Sequence, residues 1–304
     1  DDDVRFRQGS RVTVVGAVKD GIHVNDAVVI GGGILNITAT DDGIQCEKGP
    51  ISVTGGRTTV ITTGNAVYED SDISSSSCIN SGTTFAMTAG TVLLKSSGSA
   101  GKGLNCDGEI YLYGGTLRVV TTGKQYVYGR LDSSAKGIKS KSSLTIESGT
   151  IWVRATGGEG SEGIESKNVM TINGGDIAVY AYDDCLNASN NITINGGSVY
   201  CYSTGNDGVD SNGTLTITGG TVVASGTASP EDGFDCDQNT FKITGGTVLG
   251  IGGGTSTPTA NSCTQRSVIY GGSGSAGQYI GIQSSDGTNL MTYMIPRTYQ
   301  QMTL

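Results

Sequence analysis

Nine residues of this 304-residue chain could together hold a cation: Asp183, Asp184, Asn187, Asp207, Asp210, Glu231, Asp232, Asp235 and Asp237. They fall in three groups, and no Lys or Arg stands between the first and the last of them. The second and third groups share one form, Asp207-Gly208-Val209-Asp210 and Asp232-Gly233-Phe234-Asp235. If equivalent positions stack in neighbouring strands, their carboxylates lie about 4.8 Å apart. Unneutralised charges at that separation repel. A Ca²⁺ ion, which takes six to eight oxygen ligands, would relieve the repulsion. The competing reading is a solvated acidic edge that discourages association. A smaller cluster joins Asp20 to Asp41 and Asp42.

A second set of residues could stack on sugar rings, whose C–H faces pack on aromatic planes. Trp152, Arg154, Tyr180, Tyr200 and Tyr202 occupy alternate positions of extended segments, with Arg118 in the same kind of position. Aromatic residues also favour exposed strand positions for reasons unrelated to binding. Two insertions add further aromatics: residues 64–76, with Tyr68, Glu69, Asp70 and Asp72, and residues 123–134, with Gln125, Tyr126, Tyr128 and Arg130. Loops on one edge of a repeat array often bind, or are merely tolerated.

The elements that must position these groups are repeats. Double-residue corners recur at Gly31-Gly32, Gly55-Gly56, Ala89-Gly90, Gly114-Gly115, Ser148-Gly149, Gly174-Gly175, Gly196-Gly197, Gly219-Gly220 and Gly245-Gly246, spaced 24, 34, 25, 34, 26, 22, 23 and 26 residues apart. This period predicts an all-β chain: a right-handed parallel β-helix of about nine three-strand coils with a C-terminal β cap. Alternation assigns an inward column from Ile22 and Ile44 through Val209 to Phe234, and a small column two residues on, from Val24 and Cys46 to Ser211 and Cys236. It stacks Lys136 on Glu162 and Lys139 on Glu165, read as exposed ion pairs of little worth. The two 34-residue intervals hold the two insertions, which should leave one edge two coils apart. Residues 1–254 then form the β-helix with an N-terminal cap. Residues 255–304 form capping strands packed on it, all within one structural domain.

Bulk composition narrows the partners. A net charge of −9 makes nucleic acid an unsuitable ligand. The seven Cys form no CxxC pair, so they read as small buried fillers rather than zinc ligands. No transmembrane run is present, and the acidic start Asp1-Asp2-Asp3 reads as a mature or trimmed chain. The only His, His23, lies in the first coil, away from the acidic groups, so no Ser-His-Asp set assembles there. The Gly pairs precede strands rather than helices, which excludes phosphate loops.

The repeat resembles that of bacterial secreted carbohydrate-binding domain-containing proteins with a pectate-lyase-like β-helix. The closest matches are Asp207 to Asp210 with Leu215-Thr216-Ile217-Thr218-Gly219-Gly220-Thr221, and Asp232 to Asp235 with Phe241-Lys242-Ile243-Thr244-Gly245-Gly246-Thr247. The tail from Gln278 to Thr292, followed by Pro296-Arg297, is similar too. The resemblance implies export to the cell surface or medium, bound calcium, and affinity for plant-type polysaccharide such as cellulose or pectin. The acidic corners also resemble the calcium site of family-nine pectate lyases, with Asn206 standing where that pattern has an acid.

Two functions from different classes follow, with a third beside them. The first is a monomeric calcium-dependent binding module for polysaccharide. The second is a calcium-dependent polysaccharide lyase acting by β-elimination, which needs a base to remove the sugar's C5 proton. Lys139, Lys141 and Lys167 are the candidates, each one to three coils from the acidic groups and beside carboxylates. The base is thus poorly placed, which favours binding. The third is a structural or adhesive rod at the cell surface.

Overall fold

In a computed structural model that describes residues 3–304, the repeats wind into a parallel β-solenoid of about 10 turns. Each turn lays one strand on each of three faces, and among the described residues there is no helix. The first face is a 9-stranded sheet running in chain order from Ile22–Val24 to Phe234–Asp235. Second and third faces join into a 20-stranded sheet, because Ile51–Thr62 and Phe85–Ser96 bend through their corners without a break. Asp3–Phe6 pairs with Ala27–Ile30, and Arg11–Ala17 with Ile34–Ala39. The N-terminal strands therefore add a turn before the first corner motif, so the turns exceed the nine motifs.

Stacking follows the columns read from the repeat. Ile22 pairs with Ile44, Leu186 with Val209, and Val209 with Phe234. The large inward side chains are fully buried from Ile44 to Phe234. Each such side chain contributes roughly 1.5–3 kcal/mol. The small inward column does more than fill space. Ser140 Oγ donates to Gly108 O and Ser143 O, and Ser211 Oγ donates to Asn190 O and Thr214 O. These hydroxyls satisfy turn carbonyls of the same and the preceding coil, which a methyl group could not do. Corner Gly220 has φ +83°, and a Cβ there would lie 2.6 Å from Gly197 O of the coil below. That left-handed conformation and close approach explain the glycine.

The C-terminal residues cap the array in two ways. Residues 255–264 cross the ends of the first and second faces, with backbone amides of Ser256, Thr259 and Thr264 donating to Phe234 O, Phe241 O and Ile243 O. Tyr299–Thr303 then pairs antiparallel with the last strand, Thr247–Gly252, and with Ile269–Gly274. A hairpin of Tyr279–Gln283 and Asn289–Met294 belongs to the same cover. Ile295, Tyr299 and Met302 pack on Val223, Leu249 and Ile251, outward residues of the third face. The cover thus lies over one flank as well as the end. Asp1 and Asp2, part of the acidic start, lie outside the described residues.

Candidate functional site

The acidic groups sit where the third face turns into the first. At this corner a carboxylate in one coil accepts the backbone N–H of the equivalent residue in the next. Asp207 N donates to Asp184 Oδ1 at 3.1 Å, and Asp232 N donates to Asp207 Oδ1 at 2.5 Å. Asp42 N on Asp20 and Ser77 N on Asp42 repeat the device near the N-terminus. Gly208 permits this turn: a Cβ there would meet Gly233 O at 2.6 Å and Ser225 N at 2.7 Å. The Asp-Gly pair thus lets the chain press against the neighbouring coil while its acid ties the coils together.

Of the nine candidate ligands, three converge. Asp207, Asp210 and Asp235 bring carboxylate oxygens within 4.8 Å of one another. Asp210 and Asp235 are register partners in adjacent coils, and Asp207 is three residues before Asp210. The other acids stand outside this trio. Asp184 takes Asp207 N and Asn187 Nδ2, while Asn187 Nδ2 also bonds Asp210 Oδ2 at 2.8 Å. Asp183 takes Asn206 Nδ2 at 2.6 Å. Asp232 and Glu231 lie in the loop before the last first-face strand, and Asp237 is exposed beyond it. Asp235 Oδ1 also accepts Ser256 Oγ at 2.9 Å, a contact invisible in the repeat because Ser256 follows it.

Electrostatics set Asp207 and Asp210 apart. Burial pushes the Asp207 carboxyl up to about 8, and Asp235, Asp210 and Glu231 add to the rise. Burial likewise raises Asp210 and Asp184, with neighbouring acids next in effect. Desolvated like charges with no ammonium beside them account for this. An all-oxygen, acid-rich donor set of this kind fits a hard cation. Asp42, also raised to about 7 by burial, differs: Ser77 N and Asn80 Nδ2 occupy its oxygens.

Midway along the first face, basic residues replace the acids, and the pairs expected to be exposed are buried. Lys136 Nζ lies 2.8 Å from Glu162 and Lys139 Nζ 3.3 Å from Glu165, whose side chain is 1 % exposed. Lys167 also pairs with Glu165. Burial alone would raise the Glu165 carboxyl, but Lys136 and Lys139 outweigh it and hold it low. Short strands leave one outward residue per coil, and the turns on both sides shield it; that is why these pairs are enclosed. Lys141 pairs with Asp107 at 2.7 Å. All three lysines considered as bases are therefore engaged by carboxylates. By register Lys139 and Asp210 lie three coils apart, roughly 14 Å.

The sugar-face candidates divide into three environments. Trp152, Arg154 and Tyr180 lie on the open outer face of the third sheet. Tyr200 and Tyr202 share those columns, as partners of Ala178 and Tyr180, but the C-terminal segment reaches them. Tyr200 packs with the cluster that includes Tyr293, and the Arg297 guanidinium lies 4.0 Å above the Tyr202 ring. Tyr126 and Tyr128 stand on the hairpin Tyr126–Tyr128/Leu131–Ser133, away from that face. Both insertions are hairpins, the other being Val67–Glu69/Asp72–Ser74, and the rings of Tyr68 and Tyr128 stack 4.0 Å apart. Lys102, not singled out by its spacing, is buried beneath them. Its Nζ donates to Ser75 Oγ and Ser133 Oγ at the two hairpin bases and to Ala100 O. Burial lowers this ammonium to about 8.

A family model described as carbohydrate-binding domain-containing protein matches residues 1–73 and 128–208. No curated protein and no solved structure matches the chain.

Proposed function

The chain belongs to the carbohydrate-binding domain-containing protein family, and from that premise we propose that it is a calcium-dependent binder of acidic plant-type polysaccharide. The observation that carries the cation is the convergence of Asp207, Asp210 and Asp235 with no ammonium beside them. Those three side chains would hold the ion, with Asp184 and Asn187 orienting Asp207 and Asp210 from behind. A bound Ca²⁺ would supply the positive charge that a uronate carboxylate needs on a chain of net charge −9. Asp210 and Asp235 are the outward residues of their strands, so the site opens on the first face. Pectin-type polyuronate fits this arrangement better than neutral cellulose, because only the former carries an anionic carboxylate for the ion. Such a ligand places the protein outside the cell or on its surface.

Binding is favoured over β-elimination because Lys139, Lys141 and Lys167 each face a carboxylate. Affinity electrophoresis in polygalacturonate gels tests the proposal. Retardation should increase with calcium, and that increase should be lost with chelator and in Asp210→Asn. Calcium-independent mobility in wild type would refute the cation's role, and a rise in unsaturated product at 235 nm or so would establish a lyase instead.

A further inference from the structure

We infer that the uncovered half of the third face is a second polysaccharide site, one that binds an acidic glycan directly and needs no cation. It deepens the proposed function by adding a separate surface, and it does not depend on the acidic trio.

The third face carries two outward columns. Register places Leu93, Arg118, Trp152 and Ala178 in one, and Lys95, Val120, Arg154 and Tyr180 in the other. From Tyr200 onward the same columns lie under the chain's own C-terminal segment. From Tyr180 back they are bare. The covered part shows what this surface accepts: the Arg297 guanidinium sits over the Tyr202 ring, and Met302 and Tyr299 pack with Val223 and Leu249. From the edge of that cover at Tyr180 back to Ile61, the partner of Lys95, the bare stretch runs over five strands, about 19 Å. A shallow groove of about 300 Å³ lies at its far end, lined by Ile61, Leu93, Lys95, Arg118 and Val120 among others.

Charge selects the occupant. Lys95, Arg118 and Arg154 are exposed, and none forms an ion pair among the described residues. Three uncommitted cations on one face stand out on a chain with 28 acidic and 19 basic residues. The Arg118 guanidinium rests 4.4 Å over the Trp152 ring, which holds its planar donors in place for a carboxylate. Tyr180 lies 6.2 Å from Trp152. The rings that stack sugars, Trp152 and Tyr180, therefore adjoin the groups that bind uronates, and the rungs repeat at about one sugar length. A neutral glycan would leave these cations unused, and the local positive charge of this face, rather than the net charge of the chain, is what a uronate would meet.

Affinity electrophoresis with chelator throughout tests this surface, using polygalacturonate as probe and hydroxyethyl-cellulose as neutral comparison. Wild type should still be retarded by polygalacturonate. The double variant Arg118→Ala/Arg154→Ala should lose about tenfold in affinity, and Trp152→Ala a comparable amount. Asp210→Asn should keep the chelator-resistant part in full. Melting curves of the variants verify that the fold persists. Absence of chelator-resistant retardation, unchanged retardation in both variants, or equal retention on the neutral polymer would overturn the inference. A result in which calcium adds nothing while the chelator-resistant part stands would overturn the cation site alone.

Discussion

Asp207→Asn should stabilise the protein without cation and destroy its response to cation. The substituted side chain keeps its shape, and its Oδ1 can still accept the Asp232 N–H now held by the carboxylate. Only the charge is lost. Each tenfold change in proton affinity is worth ~1.4 kcal/mol, so a carboxyl raised from 3.8 to about 8 sets a ceiling near ~6 kcal/mol. Relaxation and water penetration reduce such energies several-fold, which leaves ~2 kcal/mol. The sign follows from proton linkage. Asp207 holds its proton in the folded chain up to about pH 8, whereas in the unfolded chain it ionises near 4. Between those values the folded state binds more protons, so cation-free wild type loses stability as pH rises through this window. At ~2.1 cal/mol/K per residue of unfolding entropy, 304 residues convert ~2 kcal/mol into ~3 °C. Differential scanning calorimetry in chelator should show the variant melting ~3 °C above wild type at pH 8 and level with it near pH 4. Saturating calcium should raise wild type and leave the variant unmoved. A variant less stable than wild type in chelator at pH 8, or one equally stabilised by calcium, would refute the reasoning.

Glu165→Gln should be strongly destabilising, by ~3–5 kcal/mol, because Lys136, Lys139 and Lys167 would lose the carboxylate they share. Denaturant unfolding reads this directly. Gly220→Ala should cost ~1–3 kcal/mol from the positive φ, and more if Gly197 O cannot move away. Arg297→Ala should loosen the C-terminal cover, since its guanidinium donates to Gly226 O and Ser203 O. Limited proteolysis should then cut within residues 265–304 sooner than in wild type. Lys102→Met should free the hairpins from their common anchor, seen as faster amide exchange at Val67–Glu69 and Tyr126–Tyr128.

The repeat by itself dictates the fold. Corners 22 to 26 residues apart, or 34 where a hairpin is inserted, admit one stacking, and a one-residue slip would turn Val209 outward and Asp210 inward. The columns therefore follow from alternation alone, as do Asp210 above Asn187 and Asp235 above Asp210. Sequence also showed that no basic residue interrupts those acids, because composition along a column is independent of geometry. Three matters needed the tertiary structure. Which acids converge depended on side-chain direction at the corner: Asp184 turns to Asp207 N and Asn187, which removes it from the trio. Burial of Glu165 beneath Lys136, Lys139 and Lys167 depended on the turns that flank a strand with a single outward residue. The division of the third face into covered and bare halves depended on where residues 279–302 return, a long-range contact with no periodic signal. Periodicity encodes neighbours at a constant interval. Contacts made once, by a tail or an insertion, carry no such interval, and only packing decides them.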